Sequence, residues 1–206
     1  MKSSLSTQSL IIHGCGGHAR SLADVALANG ATQLLFVDPN AKKDEQLFGF
    51  PVATTAPTET TAAHLIAVGD NQKRAVIFQQ LSDNHTAMTS MIAQSAYLGA
   101  EHTLGQNVFV GHRAHIGPRT TIGDNTIINT HCIIEHDCQI GKHAHISVNA
   151  VIAGSCQIGD YVMVGAGATV IDGIKIASNI TVGAGAVVVS DLTEPGVYVG
   201  VPAKKI

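Results

Sequence analysis

The 206-residue chain has no tryptophan, only 4% aromatic residues and only 13% charged residues. So few aromatics exclude an interior built from large flat rings and leave one built from aliphatic and small side chains. Sparse charge, a formal net charge of -3 and the lack of any basic run argue against nucleic acid, since phosphate binding needs a clustered cationic surface. No apolar run approaches the ~20 residues of a membrane span. The polar N-terminus does not read as a signal peptide. The four cysteines (15, 132, 138 and 156) show no CxxC spacing of the kind that binds metal. Three of them occupy small inward positions of the repeat described next. They read as packed free thiols suited to a reducing compartment, and the expected location is the cytoplasm.

What the chain does have is a period of six. From Leu98 to Val188 an aliphatic residue stands at every sixth position without a failure. Helices repeat a face every 3.6 residues and strands every two, so neither alone yields a strict six. A triangular solenoid does, with six residues to a side and eighteen to a turn of a three-sided parallel β-helix. The position two before each aliphatic is mostly small or β-branched, as at Ala114, Thr126, Cys138, Ala150 and Ala168. These residues are expected inside the prism. The Gly that follows many of the aliphatics (105, 111, 117, 123, 141, 159, 165, 183) is expected to relax the corner.

Residues 1–90 follow another pattern and are assigned to a first domain, with the solenoid and its C-terminal tail in 91–206. Ser9–His13 reads as a buried strand, Gly14-Cys15-Gly16-Gly17-His18 as a tight loop, and Ala19–Asn29 as a helix stopped by Gly30. Leu34–Val37 reads as a second strand and Leu65–Val68 as a third, followed by Gly69-Asp70-Asn71 and a helix through Ala75–Leu81. This is a small Rossmann-like α/β sheet, in which ligands bind beyond the C-terminal strand ends. The GxGG loop reads either as a tight βα turn or as an anion site made by backbone N–H groups at a helix N-terminus. Asp38 at the end of the next strand favours a nucleotide. The domain is too short for two dinucleotide-binding halves, so a mononucleotide or nucleotide-sugar fits better.

The GxGGHA loop, the coil segment Ile134-Glu135-His136-Asp137-Cys138-Gln139-Ile140-Gly141 and the tail Gly200-Val201-Pro202-Ala203-Lys204 together resemble the PglD/NeuD-type sugar acyltransferases along essentially the whole chain. The resemblance implies a left-handed parallel β-helix and a homotrimer with active sites between subunits. The implied reaction is acetyl transfer from acetyl-CoA, with no metal, to the 4-amino group of a UDP-4-amino-4,6-dideoxy sugar in bacterial surface glycan biosynthesis. It implies His136 as general base and Asp137, where near relatives carry Glu, as the acid raising its basicity. It further implies contacts to acetyl-CoA by His145, Gly154, Ala166 and Ala184. The nucleotide-sugar contacts it implies are Gly16, Gly17, His18, Asp38, Pro39, Asn40, Gly69 and Asp70.

Chemistry alone supports part of this set. A histidine titrates near neutrality and suits removal of a proton from an attacking amine. Gly154 lies one eighteen-residue turn after His136, and a missing side chain beneath the histidine is expected to leave room for a ligand. Asp137 adjoins His136, and on a straight strand neighbouring side chains face opposite ways, so a solvated corner carboxylate is the other reading. Gly165-Ala166-Gly167 and Gly183-Ala184-Gly185 are eighteen apart and stack into a shallow groove able to take a pantetheine arm. Arg74 reads either as a neutraliser of the pyrophosphate or as an exposed arginine. His13 and His64 are expected to pack beside their strands. His145 is nine residues from His136, half a turn, so the two are expected to meet only between subunits.

Three other functions compete with this one. The first is O-acetylation of a sialic acid. The second is a zinc-dependent carbonic anhydrase-like hydratase, which would require stoichiometric zinc. The third is a non-catalytic trimer that binds nucleotide-sugar without releasing CoA.

Overall fold

The computed structural model describes residues 9–206; the polar N-terminal segment read above lies outside the described residues. The chain opens with a five-stranded sheet. Strand β1 (Ser9–His13) leads through the glycine loop into helix α1 (Gly17–Ala28). Next come β2 (Gln33–Val37), β3 (Gln46–Leu47), β4 (Phe50–Ala53), β5 (Ala63–Ile66) and α2 (Asn71–Asp83). The sheet order is β3-β4-β2-β1-β5, all parallel except the β3–β4 pair. The middle of β1, Leu10–Ile12, is apolar and buried, as expected of a central strand in a covered parallel sheet.

Both helices start earlier than their apolar spacing suggests. Helix α1 begins at Gly17, and Gly16 precedes it without a side-chain cap. The first turn of α2 is held by Asp70, whose carboxylate accepts from Lys73 N at 2.8 Å. Gly30 ends α1 at φ +95°, as expected. The short β3–β4 hairpin was not anticipated. It turns through Phe48 and Gly49, both at positive φ, and places β4 beside β2.

The remainder is the three-sided solenoid, a left-handed β-helix of two-residue strands. Each strand pairs in parallel with the one eighteen residues on, for example Ile133 with Val151 and Gln139 with Gln157. One face carries the strands at 91–92, 109–110, 127–128, 145–146, 163–164 and 180–182. A second carries 97–98, 115–116, 133–134, 151–152, 169–170 and 187–188, and a third 103–104, 121–122, 139–140, 157–158 and 175–176. The every-sixth aliphatics point inward. From Val110 to Val188 all are buried, while Leu98 and Leu104 at the start are partly covered. Their small partners, Cys132, Cys138 and Cys156 among them, are fully buried as free thiols.

The corner glycines serve a different purpose from the one expected. Gly123 and Gly165 have ordinary φ; a Cβ on Gly123 would stand 2.7 Å from Gly141 C, and one on Gly165 2.5 Å from Ala184 N. They permit close approach between coils. The left-handed corner conformation falls two residues later, mostly on non-glycine residues: Arg113, Arg119, Asn125, His131, Asp137, His143, Asn149, Ser155 and Tyr161 all have φ between +55° and +60°.

The α/β domain sits on the first face. Met91, Phe109 and Ile127 share one apolar cluster with Leu10, Ile12, Leu22 and Phe36. The second face is mostly apolar on its outside, with Tyr97 60% and Ile133 38% exposed and with His115 and Thr169 among its outward residues. The third carries polar side chains outward: Thr103, Thr121, Gln139, Gln157 and Lys175.

Candidate active site

At the edge between the second and third faces, His136 and Asp137 leave the strand Ile133–Ile134. Asp137 takes the left-handed corner conformation (φ +57°), so the opposite-face rule for strands does not apply to it. Its carboxylate turns back onto the preceding ring, with His136 Nδ1 2.9 Å from Asp137 Oδ2. Such a pairing orients the imidazole with Nδ1 toward the acid and leaves Nε2 free to accept a proton. Arg119, one coil earlier, shares the same carboxylate at 3.4 Å. No local motif marks Arg119; its relation to Asp137 is the eighteen-residue step between them.

Gly154 lies one coil on, and the imidazole itself fills the space that glycine was expected to leave for a ligand. A Cβ there would approach His136 Cε1 to 2.6 Å and Nε2 to 2.7 Å. The Gly154 N–H donates to no acceptor among the described residues. A free donor therefore stands beside the ring.

Ala166 and Ala184 belong to a different edge, between the first and second faces. Gly167 and Gly185 there have positive φ and open space around them. Among the described residues the amides of Ala166 and Ala184 also have no acceptor, while the flanking Gly165, Gly167, Gly183 and Gly185 donate within the stack. These superposed corners fit an extended amide chain such as the pantetheine of CoA. His136 and this groove border the same face from opposite edges, so a single chain does not bring them together.

A third group surrounds the C-terminal ends of β1, β2 and β5. Gly14 at φ +113° must be glycine there, since a Cβ would meet Ala67 O at 2.9 Å. Gly16 and Gly17 are exposed at the open N-terminus of α1, whose first amides are the orphan donors of a helix start. Asp38 accepts from Asn40 N at 2.9 Å, which makes a compact polar turn with Pro39 at the tip. Gly69 and Asp70 border a 400 Å³ cleft with Asn71, Gln72, Tyr161 and Met163. The His18 ring is tucked edge-on against Phe109, 4.9 Å between centroids, with its Nε2 buried and unpartnered. Burial holds it neutral, with its pKa lowered to about 3.

His145 lies on the first face in this third group, away from His136. Its ring is 6.3 Å from that of His18 and nearly buried, and burial lowers its pKa to about 4. His13 and His64 stack as expected, with ring nitrogens 2.9 Å apart.

Arg74 departs from both readings of it. It is 1% exposed, and its guanidinium donates to the carbonyls of Val68, Gly69, Asn125, His143 and Ala144 and to Asn71 Oδ1. A guanidinium has five N–H donors, and every one is committed here. Arg74 joins α2 to two coils of the solenoid and has none left for a pyrophosphate. Burial lowers its pKa to about 10, so it stays charged at neutral pH.

Among the described residues no three His, Cys, Asp or Glu side chains converge to hold a metal ion, and no helix is long and apolar enough to cross a membrane.

Comparison with known proteins agrees with this architecture. The family model for the PglD N-terminal domain matches residues 9–81. Bacterial transferase hexapeptide models match 101–136, 119–154 and 137–172, and the hexapeptide repeat of succinyl-transferase matches 156–190. The acetyltransferase domain of PglB from Neisseria gonorrhoeae FA1090 superposes with a TM-score of 0.92 at 28% identity, over 97% of this chain and 100% of that one. A second structure of that domain contains acetyl coenzyme A. PerB from Caulobacter crescentus, solved with CoA and GDP-perosamine, superposes at 0.87 with 31% identity, over 99% of this chain and all of that one. No match emerges among curated protein sequences. The fold and coverage define a hexapeptide-repeat acetyltransferase with an N-terminal α/β domain. The chain belongs to the PglD/NeuD-type sugar acyltransferases.

Proposed function

We propose that the protein transfers acetyl from acetyl-CoA to the 4-amino group of a UDP-4-amino-4,6-dideoxy sugar. His136 serves as general base, and the active site forms between subunits of a homotrimer. The observation that carries the reading is the His136–Asp137 contact of 2.9 Å above a glycine whose amide is free. In the step, His136 Nε2 takes a proton from the amine as its nitrogen adds to the thioester carbonyl. The Gly154 N–H donates to the developing oxyanion, and as the C–S bond breaks the thiolate takes the proton back from His136 and leaves as CoA.

The mostly apolar second face supports the trimer. When three copies pack that face around a threefold axis, the His136 edge of one meets the Ala166–Ala184 edge of the next. A rotation parallel to the solenoid axis keeps heights, so the His136 coil faces its neighbour's Asn129–His131 corner and the coil carrying His145. The nucleotide belongs at Gly16, Gly17, His18, Asp38, Pro39, Asn40, Gly69 and Asp70, where free amides suit phosphates. Acetyl-CoA belongs along Ala166 and Ala184 toward Gly154. The place of action is the cytoplasm, on the way to a bacterial surface glycan.

A GDP-linked amino sugar is the second reading, favoured by the 31% identity to an enzyme solved with GDP-perosamine. Thiol release from acetyl-CoA with UDP- and GDP-linked 4-amino sugars, and with free and CMP-linked sialic acid, separates these acceptors. His136→Ala should lower turnover by about 10²–10⁴-fold. Unchanged turnover in that variant, or turnover only with a hydroxyl acceptor, refutes the mechanism.

A further inference from the structure

The hydrogen bonds around His145 form a closed chain. Asn129 Oδ1 accepts from Thr130 N at 2.8 Å, which fixes Asn129 Nδ2 as the end facing His145 Nε2 at 3.2 Å. An amide nitrogen only donates, so Nε2 must accept and the ring proton must sit on Nδ1. Nδ1 then donates to Gly69 O at 3.3 Å. The same carbonyl accepts from Arg74 Nη1 at 3.1 Å, and Arg74 also holds Val68 O at 3.0 Å. Both nitrogens of His145 are thus committed within its own chain.

The consequence falls on a peptide plane. In a trans peptide the C=O and the following N–H point in opposite directions. With the Gly69 carbonyl drawn inward by two donors, the Asp70 N–H points the other way. It donates to no acceptor among the described residues. Gly69 and Asp70 both border the cleft beyond β5.

We propose that His145 is a positioning residue which, with Arg74, pins the Gly69–Asp70 peptide so that the Asp70 N–H is presented to the nucleotide phosphates, while Asn129 fixes its tautomer. This gives His145 a positioning role exercised through the Gly69 carbonyl, with Asn129 beside it. It rests on the reading of the β-strand ends as the nucleotide pocket. The charged and titratable groups facing the ring are Arg74 from α2 and His18 from α1. Burial first, and the Arg74 guanidinium second, disfavour a charge on the His145 ring and keep it neutral, while His18 is itself neutral.

Substitutions that mimic one nitrogen at a time test the proposal. In His145→Asn the amide nitrogen stands near the place of Nδ1 and can still donate to Gly69 O. In His145→Gln it stands near the place of Nε2, and that donor is lost. Binding of UDP, GDP and acetyl-CoA would be measured separately by calorimetry. His145→Gln and His145→Ala should weaken the nucleotide about tenfold, the weight of one hydrogen bond. Acetyl-CoA affinity should stay within about twofold, and His145→Asn should recover most of the loss. Nitrogen-15 shifts of the parent at neutral pH should show the Nδ1–H tautomer. An Nε2–H tautomer, or a loss confined to acetyl-CoA, overturns the proposal. A parent that binds neither nucleotide sinks the functional reading beneath it. A parent that binds, with His145→Gln indistinguishable from it, sinks the proposal alone.

Discussion

Single atoms decide the chemistry at the corner of the solenoid. Gly154 is the sharpest case, because a methyl group there would occupy the position of the His136 ring, 2.6 Å from Cε1. The side chain is exposed and flexible, so it would swing away rather than break the coil. Gly154→Ala should therefore keep its melting temperature yet lose about 10²-fold or more in kcat, as displacement of a catalytic group by about 1 Å can do. A variant that melts early, or one that turns over normally, contradicts this. Asp137→Asn keeps the shape of the pair and removes its charge. Its effect should fall near the low end of the loss for His136→Ala, roughly 10²-fold, read by the same thiol-release measurement. Asp137 also faces Arg119 at 3.4 Å, so part of its charge is already answered.

At the level of elements, α2 is tied to the solenoid by one buried cation. Arg74→Met would leave the carbonyls of Val68, Asn125 and His143 without a donor and take one of two donors from those of Gly69 and Ala144. Breaking a buried polar network from one side costs about 3–5 kcal/mol. In a chain of this size that lowers the melting temperature by roughly 10 °C, and scanning calorimetry would show it. The coils were legible in the sequence because a six-residue side fixes which residues face inward, and Ile134, Ile152 and Val170 simply repeat. The role of Arg74 was not legible. Its acceptors lie as far as 70 residues along the chain and come together only when the domain docks. Nor was the β3–β4 hairpin, whose two-residue strand carries too few residues for a period to show. The glycines were found but misread, since composition does not reveal whether a glycine admits a positive φ or a neighbouring backbone. That distinction has a test. Gly123→Ala, with backbone 2.7 Å away, should destabilise by about 1–3 kcal/mol as overpacking does. His131→Gly, at an exposed φ of +60°, should change stability by less than about 1 kcal/mol, because the strain relieved offsets the freedom gained.

The whole molecule carries an acid sensitivity set by its buried histidines. His13, His18 and His145 are held neutral by burial, with pKa values lowered to about 4, 3 and 4. Once unfolded, each returns to roughly 6.5. Between these limits the unfolded chain binds more protons than the folded one, so folding stability rises with pH and is lost as pH falls from about 6.5 toward 4. Each histidine adds up to about 1.4 kcal/mol per pH unit inside that window. A carboxylate acts lower: Asp124, held down by Lys142, contributes only as pH drops through the ordinary carboxylate range. The two sources therefore separate on the pH axis. Urea midpoints measured from pH 8 to 4.5 at fixed protein concentration should be flat above about 7 and fall steadily below it. All three histidines lie in the α/β domain or against it, so the loss should appear first in probes of that domain. Among the coil corners His143, packed against Phe78 and Tyr161, is also lowered by burial, so the coils add a smaller response of their own. A midpoint that stays level to pH 4.5, or one whose fall begins in the coils, would show that these rings are not buried neutral.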